Sequence, residues 1–354
     1  MRRVVWVIAV MAGLAPCAPA RAHFLRNLFE LDRVNKRIAG YIVDYTHNHG
    51  RDNRIWSEAL HEKRDLYIYL PPNYDPHKQY PLILFLHGFI QDETSFLRDV
   101  IEPLDRAMQS GALPRAIIAA PDGSLHGMDC MFSAGSFFVN SKAGAFEDYL
   151  MGDVWDFVMT HYRIRPEREA HVICGASMGG GAAFHTAIKY QDRFKLVAGI
   201  FPPLNLRWVS CRGRYMDPFD PCCWGWKTDY RNPLEVVARF YCVIAIRQGQ
   251  FTGPLYGLFN PDTAVFVSRE NPIEMLDAYD VKEGDLDMFV GYGGRDQFNI
   301  AAQVESFLYR SKQKGLTVTV GYEPNGKHDL RTALKLLPDL LAWLKPRLDP
   351  YSPR

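Results

Sequence analysis

Short apolar runs alternate with longer amphipathic stretches from residue 64 onward. Seven runs are predicted as strands, at residues 65–70, 81–86, 115–120, 171–174, 195–201, 288–292 and 317–322. Stretches with helical periodicity are predicted as helices, at about 92–110, 145–162, 178–191, 298–314 and 329–345. Because buried strands alternate with amphipathic helices, the pattern predicts an α/β domain with a mostly parallel central sheet and helices on both faces.

One long segment, residues 202–270, shows no sustained period and is rich in proline, aromatic residues and cysteine. It follows the strand that comes after the helix at 178–191. Asn232-Pro233 and Asn271-Pro272 each have the signature of a helix start, with an N-cap Asn and Pro at the first helical position. We expect a lid-like, cysteine-rich insertion with at least one helix; a second small domain is the alternative.

The N-terminus has the pattern of a secretory signal peptide. Basic residues at positions 2 and 3 precede an uncharged apolar run from Val4 to Ala15, and a small-x-small cleavage site follows at 20–22. A membrane anchor needs about 20 apolar residues, and prolines interrupt this run much earlier. A lipoprotein box around Cys17 is a weaker alternative, because Pro16 stands where a small residue is required. We therefore predict a secreted or periplasmic protein without a membrane span after cleavage.

The remaining boundaries follow from the same patterns. Residues 1–22 are assigned to the signal peptide and 23–63 to an N-terminal segment leading into the sheet. Residues 64–348 form the predicted α/β domain, and 349–354 a short tail. A length of 354 residues with 47% hydrophobic content suits one such domain enlarged by an insertion.

Charge argues against nucleic acid as a partner. The whole chain carries 41 basic and 40 acidic residues. Removal of residues 1–22 takes away three arginines and no acidic residue, so that 38 basic and 40 acidic residues remain, a net charge of −2. A nearly neutral surface lacks the positive field that attracts a phosphate backbone.

Six cysteines remain after cleavage, and their distribution is uneven. Four lie close together in the insertion: Cys211, Cys222, Cys223 and Cys242. An oxidising compartment and the absence of C-x-x-C spacing favour disulfides over a metal site, with Cys130 as a further candidate partner. The connectivity stays open. Cys174, within a predicted buried strand, is expected to be an unreactive core thiol.

The sequence Gly175-Ala176-Ser177-Met178-Gly179 lies between a predicted strand and a predicted helix. G-x-S-x-G in this context is typical of a nucleophile elbow, a sharp turn that holds the serine hydroxyl above the sheet. A glycine-rich turn with a capping serine is the alternative. Serine is a weak nucleophile unless a histidine removes its proton and an acid orients that histidine.

Two loops supply the partners in the chain order serine, acid, histidine. Asp296 follows the predicted strand at 288–292, and His328 follows the predicted strand at 317–322. Competing residues fit less well: Asp122 precedes the serine and suits a turn or pocket wall, Asp329 adjoins the histidine itself, and His185 suits a packed or surface position. No histidine or cysteine spacing indicates a metal, and no cofactor is implied.

The negative oxygen formed during acyl transfer requires backbone N–H donors. One is the amide of Met178, directly after the serine. The other should come from the loop after an early strand, where Leu86-His87-Gly88-Phe89 places the amide of Phe89.

These motifs resemble the esterase family of the α/β-hydrolase superfamily that includes esterase D, feruloyl esterases and antigen 85. The similarity covers most of residues 60–345, through YIYLPPNY, PLILFLHG, APDG, SFFVNS, CGASMGGGAAFHTAIKYQDRF, GYGGRDQF and GKHD. The resemblance implies the α/β-hydrolase fold, a triad of Ser177, Asp296 and His328, oxyanion donors at Phe89 and Met178, and acyl-enzyme chemistry. Residues 202–270 depart from the family pattern in length and cysteine content, which leaves the substrate open.

We therefore expect a secreted serine esterase acting on small-molecule or carbohydrate esters, including feruloyl-type esters. Acyl transfer to a sugar and a non-catalytic binding protein on the same scaffold are the alternatives. His87, Trp224 and Trp226 are predicted substrate contacts. Seven aromatic residues of the insertion could form a wall over the substrate or a small core of their own: Trp208, Phe219, Trp224, Trp226, Tyr230, Phe240 and Phe259.

Overall fold

The structure is a computed structural model that describes residues 29–125, 127, 135–240 and 244–353. The predicted signal peptide, residues 1–22, lies outside the described residues, as do Cys130 and Cys242. Within the described part of the chain, no helix is both long enough and apolar enough to cross a membrane.

The central sheet has eight strands among the described residues. They are β1 (Tyr41–Tyr45), β2 (Leu66–Leu70), β3 (Leu82–Leu86), β4 (Ile117–Pro121), β5 (His171–Ala176), β6 (Leu196–Ile200), β7 (Asp287–Gly293) and β8 (Val318–Glu323). Their order across the sheet is β1-β2-β4-β3-β5-β6-β7-β8. Both pairings of β2 are antiparallel, and all other pairings are parallel. The expected mostly parallel sheet is confirmed, with β2, the second strand from one edge, as its one antiparallel strand.

Helices flank this sheet, and two further helices lie in the insertion. They are α1 (Glu30–Asn35), α2 (Ile101–Gln109, preceded by a π-helical turn at Phe96–Val100), α3 (Phe146–Asp148, Tyr149–Val154 and Trp155–His161 in succession), α4 (Met178–Lys189), α5 (Gly249–Tyr256), α6 (Thr263–Arg269), α7 (Pro272–Ala278), α8 (Ile300–Gln313) and α9 (Leu330–Leu348). Short 3₁₀ turns lie at Arg168–Ala170 and Asp349–Tyr351.

Alternate residues of the strands bury against opposite layers of helices. On β3, Leu82, Leu84 and Leu86 join the cluster that contains side chains of α3, α4 and α8. Ile83 points to the other face and joins side chains of α2 and α9. This period of two explains the continuous apolar run PLILFL, because both faces of the strand are covered.

The sheet begins earlier in the chain than its sequence pattern indicates. β1 lies within the N-terminal segment 23–63 and pairs with β2 at the edge of the sheet. A hairpin of Ile55–Ser57 with Glu62–Arg64 follows it. Another short hairpin, Asn140–Ser141 with Gly144–Ala145, precedes α3.

The insertion at 202–270 contains two hairpins and two helices. Trp208–Ser210 pairs with Trp224–Trp226, and Val236–Phe240 pairs with Ile244–Arg247; α5 and α6 follow. The helix predicted at Asn232-Pro233 is wrong, since that dipeptide leads through a turn into a strand. The start predicted at Asn271-Pro272 is confirmed, with α7 beginning at the proline.

The described cysteines agree in part with the disulfide prediction. Cys211 and Cys223 form a disulfide that closes the first hairpin of the insertion. Cys222 does not join it and is a free, exposed thiol. Cys174 on β5 is also free, and burial raises the pKa of its thiol to about 12, which suits an unreactive core cysteine.

Candidate active site

Ser177 occupies the sharp turn between β5 and α4. Its backbone has φ 54° and ψ −121°, a conformation that is costly for a residue with a side chain. The strand and helix come so close that a Cβ at Gly175 would lie 2.5 Å from the carbonyl carbon of Gly179 on α4. At Gly179 a Cβ would overlap the carbonyl oxygen of Leu86 on the neighbouring strand β3. The two glycines are therefore required by close approach of the chain, as the elbow motif predicts.

The three predicted triad residues come together at the carboxyl edge of the sheet. His328 Nε2 lies 2.8 Å from Ser177 Oγ, and His328 Nδ1 lies 2.7 Å from Asp296 Oδ2. A carboxylate only accepts hydrogen bonds, so Nδ1 carries the proton and Nε2 accepts from the serine hydroxyl. This is the tautomer in which a histidine can take a proton from serine.

Burial and hydrogen bonds hold Asp296 in place on the loop after β7. Its carboxylate is completely buried, and the Phe298 backbone N–H donates to Oδ1 at 2.8 Å. The neighbouring Gln297 reaches the other loop, where its Oε1 accepts the backbone N–H of His328 at 2.8 Å. The Arg295 N–H also donates to the Gly326 carbonyl, at 2.9 Å, so the acid loop and the histidine loop are tied together.

The two competing candidates for the triad acid have other contacts. Asp329 caps the N-terminus of α9, where its Oδ1 accepts the Thr332 N–H at 2.9 Å. Asp122 is buried after β4 and receives Arg64 Nη2 on Oδ2 at 2.6 Å. Neither carboxylate contacts His328 among the described hydrogen bonds.

His87 does not line the cavity, so its prediction as a substrate contact is not supported. The Gly123 N–H donates to its Nε2 at 2.8 Å, so the proton sits on Nδ1, which donates to the Gly88 carbonyl at 2.8 Å. A trans peptide points its C=O and N–H in opposite directions. By holding the Gly88 carbonyl, His87 fixes the direction of the Phe89 N–H, the predicted oxyanion donor.

A mostly apolar cavity of about 1150 Å³, its open mouth included, has Ser177 in its wall. Phe89 and Met178, the residues with the predicted oxyanion amides, form part of its wall. Aromatic side chains provide much of the remainder: Phe137, Tyr215, Tyr230, Phe251, Tyr256 and Phe298. Such a lining suits an apolar or aromatic part of a ligand.

Trp224 and Trp226 are not in this wall, and their prediction as substrate contacts is not supported. They pack with Trp208 and Phe219 in an aromatic cluster of the first hairpin, with ring centroids 4.9–6.4 Å apart. This cluster corresponds to the alternative of a small core within the insertion. Of the seven aromatic residues considered, Tyr230 lines the cavity.

Among the described residues, two clusters of acidic or histidine side chains have the spacing of potential metal ligands. One contains Glu147, His185 and Glu270; the other contains Asp65, Glu93 and Asp122. In each, a basic side chain already supplies positive charge: Lys189 contacts both glutamates of the first, and Arg64 contacts Asp122 in the second. A divalent cation would have to displace these ion pairs, so we assign no metal.

Several residues of the site have no clear sequence signal. Phe251 lies in the insertion, which has no sustained period, and only the fold brings it to the cavity. Phe137 belongs to the SFFVNS motif, but the motif does not indicate that its side chain lines a cavity. His185 is different, since it lies eight residues after Ser177 on α4. Helical spacing brings residues separated by eight positions toward the same side, which is a usable signal.

Comparisons with known proteins agree with this fold. The Esterase family model ("Putative esterase") matches residues 57–329, more than half of the chain. Among solved structures, a ferulic acid esterase aligns with TM-score 0.62 and 17% identity over 88% of this chain and 99% of its own. An S-formylglutathione hydrolase from Agrobacterium tumefaciens gives 0.61 and 16%, over 88% and 96%. A ferulic acid esterase from Anaeromyces mucronatus in complex with ferulic acid gives 0.54 and 15%, over 87% and 92%. The chain therefore belongs to the Esterase family and is a carboxylic ester hydrolase with an α/β-hydrolase fold.

Proposed function

We propose that Ser177, His328 and Asp296 perform ester hydrolysis through an acyl-enzyme. Ser177 Oγ attacks the ester carbonyl carbon while its proton passes to His328 Nε2, and buried Asp296 stabilises the imidazolium. The N–H groups of Met178 and Phe89 bind the negative oxygen. His328 then protonates the leaving alcohol, and a water molecule, deprotonated by the same nitrogen, releases the carboxylic acid and restores the serine.

The observation that carries this proposal is the continuous hydrogen-bonded line from Ser177 through His328 to Asp296, with distances of 2.8 and 2.7 Å. It lies at a strained serine on the wall of a cavity, where a substrate carbonyl can reach the hydroxyl. Nucleophile, base and orienting acid thus have the contacts that their roles require.

For the substrate, we propose an ester whose acyl group is apolar or aromatic, of the feruloyl type, joined to a carbohydrate or another small alcohol. The support is the aromatic lining of the cavity next to Ser177. The Anaeromyces mucronatus ferulic acid esterase, which shares the fold, is described with ferulic acid bound.

The Ser177→Ala variant tests the mechanism. We expect wild type to hydrolyse short p-nitrophenyl esters or hydroxycinnamoyl esters, and the variant to lose at least about 1,000-fold in kcat, because the attacking oxygen is absent. Ser110→Ala, at an exposed position after α2, is the matched control and should retain activity. Equal activity of Ser177→Ala and wild type, with both folded, would contradict the proposal.

We also propose that the protein acts outside the cytoplasm. The N-terminal signal pattern and the Cys211–Cys223 disulfide support this location. Peptide mapping by mass spectrometry of protein from the periplasm or medium, without reduction, should show a chain that begins after residue 22 and a linked Cys211–Cys223 peptide. Retention of residues 1–22 on cytoplasmic protein with both thiols free would overturn the proposal.

A further inference from the structure

The cavity extends from Ser177 along one side of α4. Gly181, Ala182 and His185 of this helix line it, and the two small residues leave space above the helix. His185 is eight residues from Ser177, which corresponds to about 12 Å along a helix axis. An acyl group that is attached to Ser177 and lies along this side of α4 would therefore extend toward His185.

The His185 side chain lines this end of the cavity and contains a buried acceptor atom without a partner. Its Nε2 lies 3.0 Å from the Phe137 carbonyl, which can only accept, so Nε2 carries a proton. In the neutral ring Nδ1 is then an acceptor, and this atom has no hydrogen-bond partner in a side chain that is 4% exposed. Burial lowers the pKa of His185, which favours the neutral ring.

Glu270 places a second acceptor beside it. Glu270 Oε2 lies 3.7 Å from His185 Nδ1 and has no hydrogen-bond partner. The ammonium of Lys189 donates to Glu270 Oε1 at 2.8 Å and lies 2.8 Å from Oε2 without the alignment of a hydrogen bond. Two acceptors that face each other cannot satisfy one another, so the pair lacks a hydrogen donor.

The charges near this pair also favour a donor. Lys189 is shared between Glu270 and Glu147, whose Oε2 it contacts at 2.5 Å. One ammonium and two carboxylates leave one excess negative charge around a neutral His185. A ligand carboxylate or other anion would be repelled here, whereas an O–H group would be attracted.

We propose that His185 and Glu270 form a specificity subsite for an acyl group that carries a hydroxyl at its far end. The hydroxyl donates to this pair after a small rotation of the glutamate, while the ester carbonyl lies at Ser177. This inference rests on the proposed function, since it needs an acyl group anchored at the serine. It adds the feature of the substrate that the far end of the cavity recognises.

A series of methyl 3-phenylpropenoates tests the subsite. The three esters, the arms of this experiment, carry hydroxyl, methoxy or hydrogen at the para position of the ring. A hydrogen bond to a charged acceptor typically discriminates by about tenfold or more. We expect kcat/KM for the hydroxyl arm to exceed that of the methoxy and unsubstituted arms by at least about tenfold, since neither of these can donate.

Two variants test the residues themselves. Glu270→Gln keeps the side-chain size, and its amide can donate to His185 Nδ1, so the preference for the hydroxyl arm should disappear. His185→Phe removes one acceptor and should reduce the preference. Glu305→Gln, a half-buried glutamate of α8 outside the cavity wall, is the matched control and should keep the wild-type ratio.

Each outcome bears on one proposal. Wild type that hydrolyses all three arms at equal kcat/KM overturns the subsite and leaves the mechanism intact. An unchanged ratio in both folded variants also overturns it. An equal preference for esters that carry the hydroxyl on the alcohol part instead of the acyl part overturns it as well. Failure to hydrolyse any arm or any short ester contradicts the proposed function instead.

Discussion

Gln297 shows how a single side chain can position a catalytic group without touching a substrate. It adjoins Asp296, accepts the His328 N–H at 2.8 Å, and is not part of the cavity wall. Asp296 fixes one nitrogen of the His328 ring, whereas Gln297 fixes the backbone that carries the ring. The distance from His328 to Ser177 therefore depends on both loops.

Replacement of Gln297 by leucine should lower kcat by about 10- to 100-fold with little change in KM, since small displacements of catalytic groups have effects of this size. Gln297→Glu keeps an oxygen acceptor and should retain most of the activity. Steady-state kinetics with an ester substrate, alongside thermal unfolding of each variant, provide the measurement. If the leucine variant matches wild type in kcat, Gln297 has no positioning role.

Sequence patterns located the candidate site residues better than they assigned their contacts. Ser177, Asp296 and His328 could be placed because a turn motif and the ends of two predicted strands carry them. His87 was placed in the loop after β3, but the residue that donates to its Nε2, Gly123, lies 36 positions further along the chain. Such long-range partners leave no local period, so sequence alone could not separate a structural role from a binding role.

At the scale of elements, strands buried on both faces were the clearest prediction. Seven predicted runs correspond to β2 through β8, with boundaries that differ by one or two residues. β1 was not predicted because it is an edge strand: its sequence YIVDY includes an acid, and its first residue, Tyr41, is exposed. Partial burial weakens the hydrophobic pattern that identifies a strand.

Two identical helix-start signals had opposite outcomes. After Asn271-Pro272, Ile273 and Leu276 are buried with helical spacing, and this packing stabilises α7. After Asn232-Pro233 the chain instead enters the Val236–Phe240 strand, which pairs with Ile244–Arg247. A cap contributes only about 1 kcal/mol, so the pairing of a β-branched segment with its neighbour can override it.

The insertion contains two groups of aromatic residues that sequence could not distinguish. The tryptophans of the disulfide-closed hairpin pack on one another, whereas Tyr215 of the same hairpin reaches the acid loop. Its hydroxyl donates to the Phe298 carbonyl at 2.7 Å, and Asn299 Nδ2 donates to the Asp217 carbonyl at 2.8 Å. The insertion therefore covers the cavity and also braces the loop of Asp296.

Across the whole molecule, a group of buried charged side chains brings distant parts of the chain together. Asp65 directly precedes β2, Glu93 follows β3 and Asp122 follows β4, and all three carboxyl groups are buried close together. Burial alone would raise the pKa of Asp122, but the positive charge of Arg64 lowers it overall. Asp122 is therefore the charged partner of Arg64, and Glu93 is left among negative neighbours.

Glu93 should make folding stability depend on pH. Burial, together with the charges of nearby acids, raises the pKa of Glu93 well above its ordinary value. Its Oε1 accepts from Asn48 Nδ2 at 2.6 Å, while Oε2 has no hydrogen-bond partner. The folded protein thus holds a proton that the unfolded chain releases near pH 4.3. The resulting stability is complete below that pH and is lost as pH rises through the folded-state pKa.

Glu93→Gln removes this titration because the amide stays neutral and can donate to a neighbouring carboxylate. Relative to wild type, the variant should gain about 1 kcal/mol or more in free energy of unfolding between pH 5 and pH 8, since one pKa unit corresponds to about 1.4 kcal/mol. Urea unfolding at both pH values measures the difference, and Glu58→Gln at an exposed position is the matched control. Parallel pH dependence in Glu93→Gln and wild type would show that Glu93 is ionised throughout this range, and that the buried group tolerates three negative charges beside one arginine.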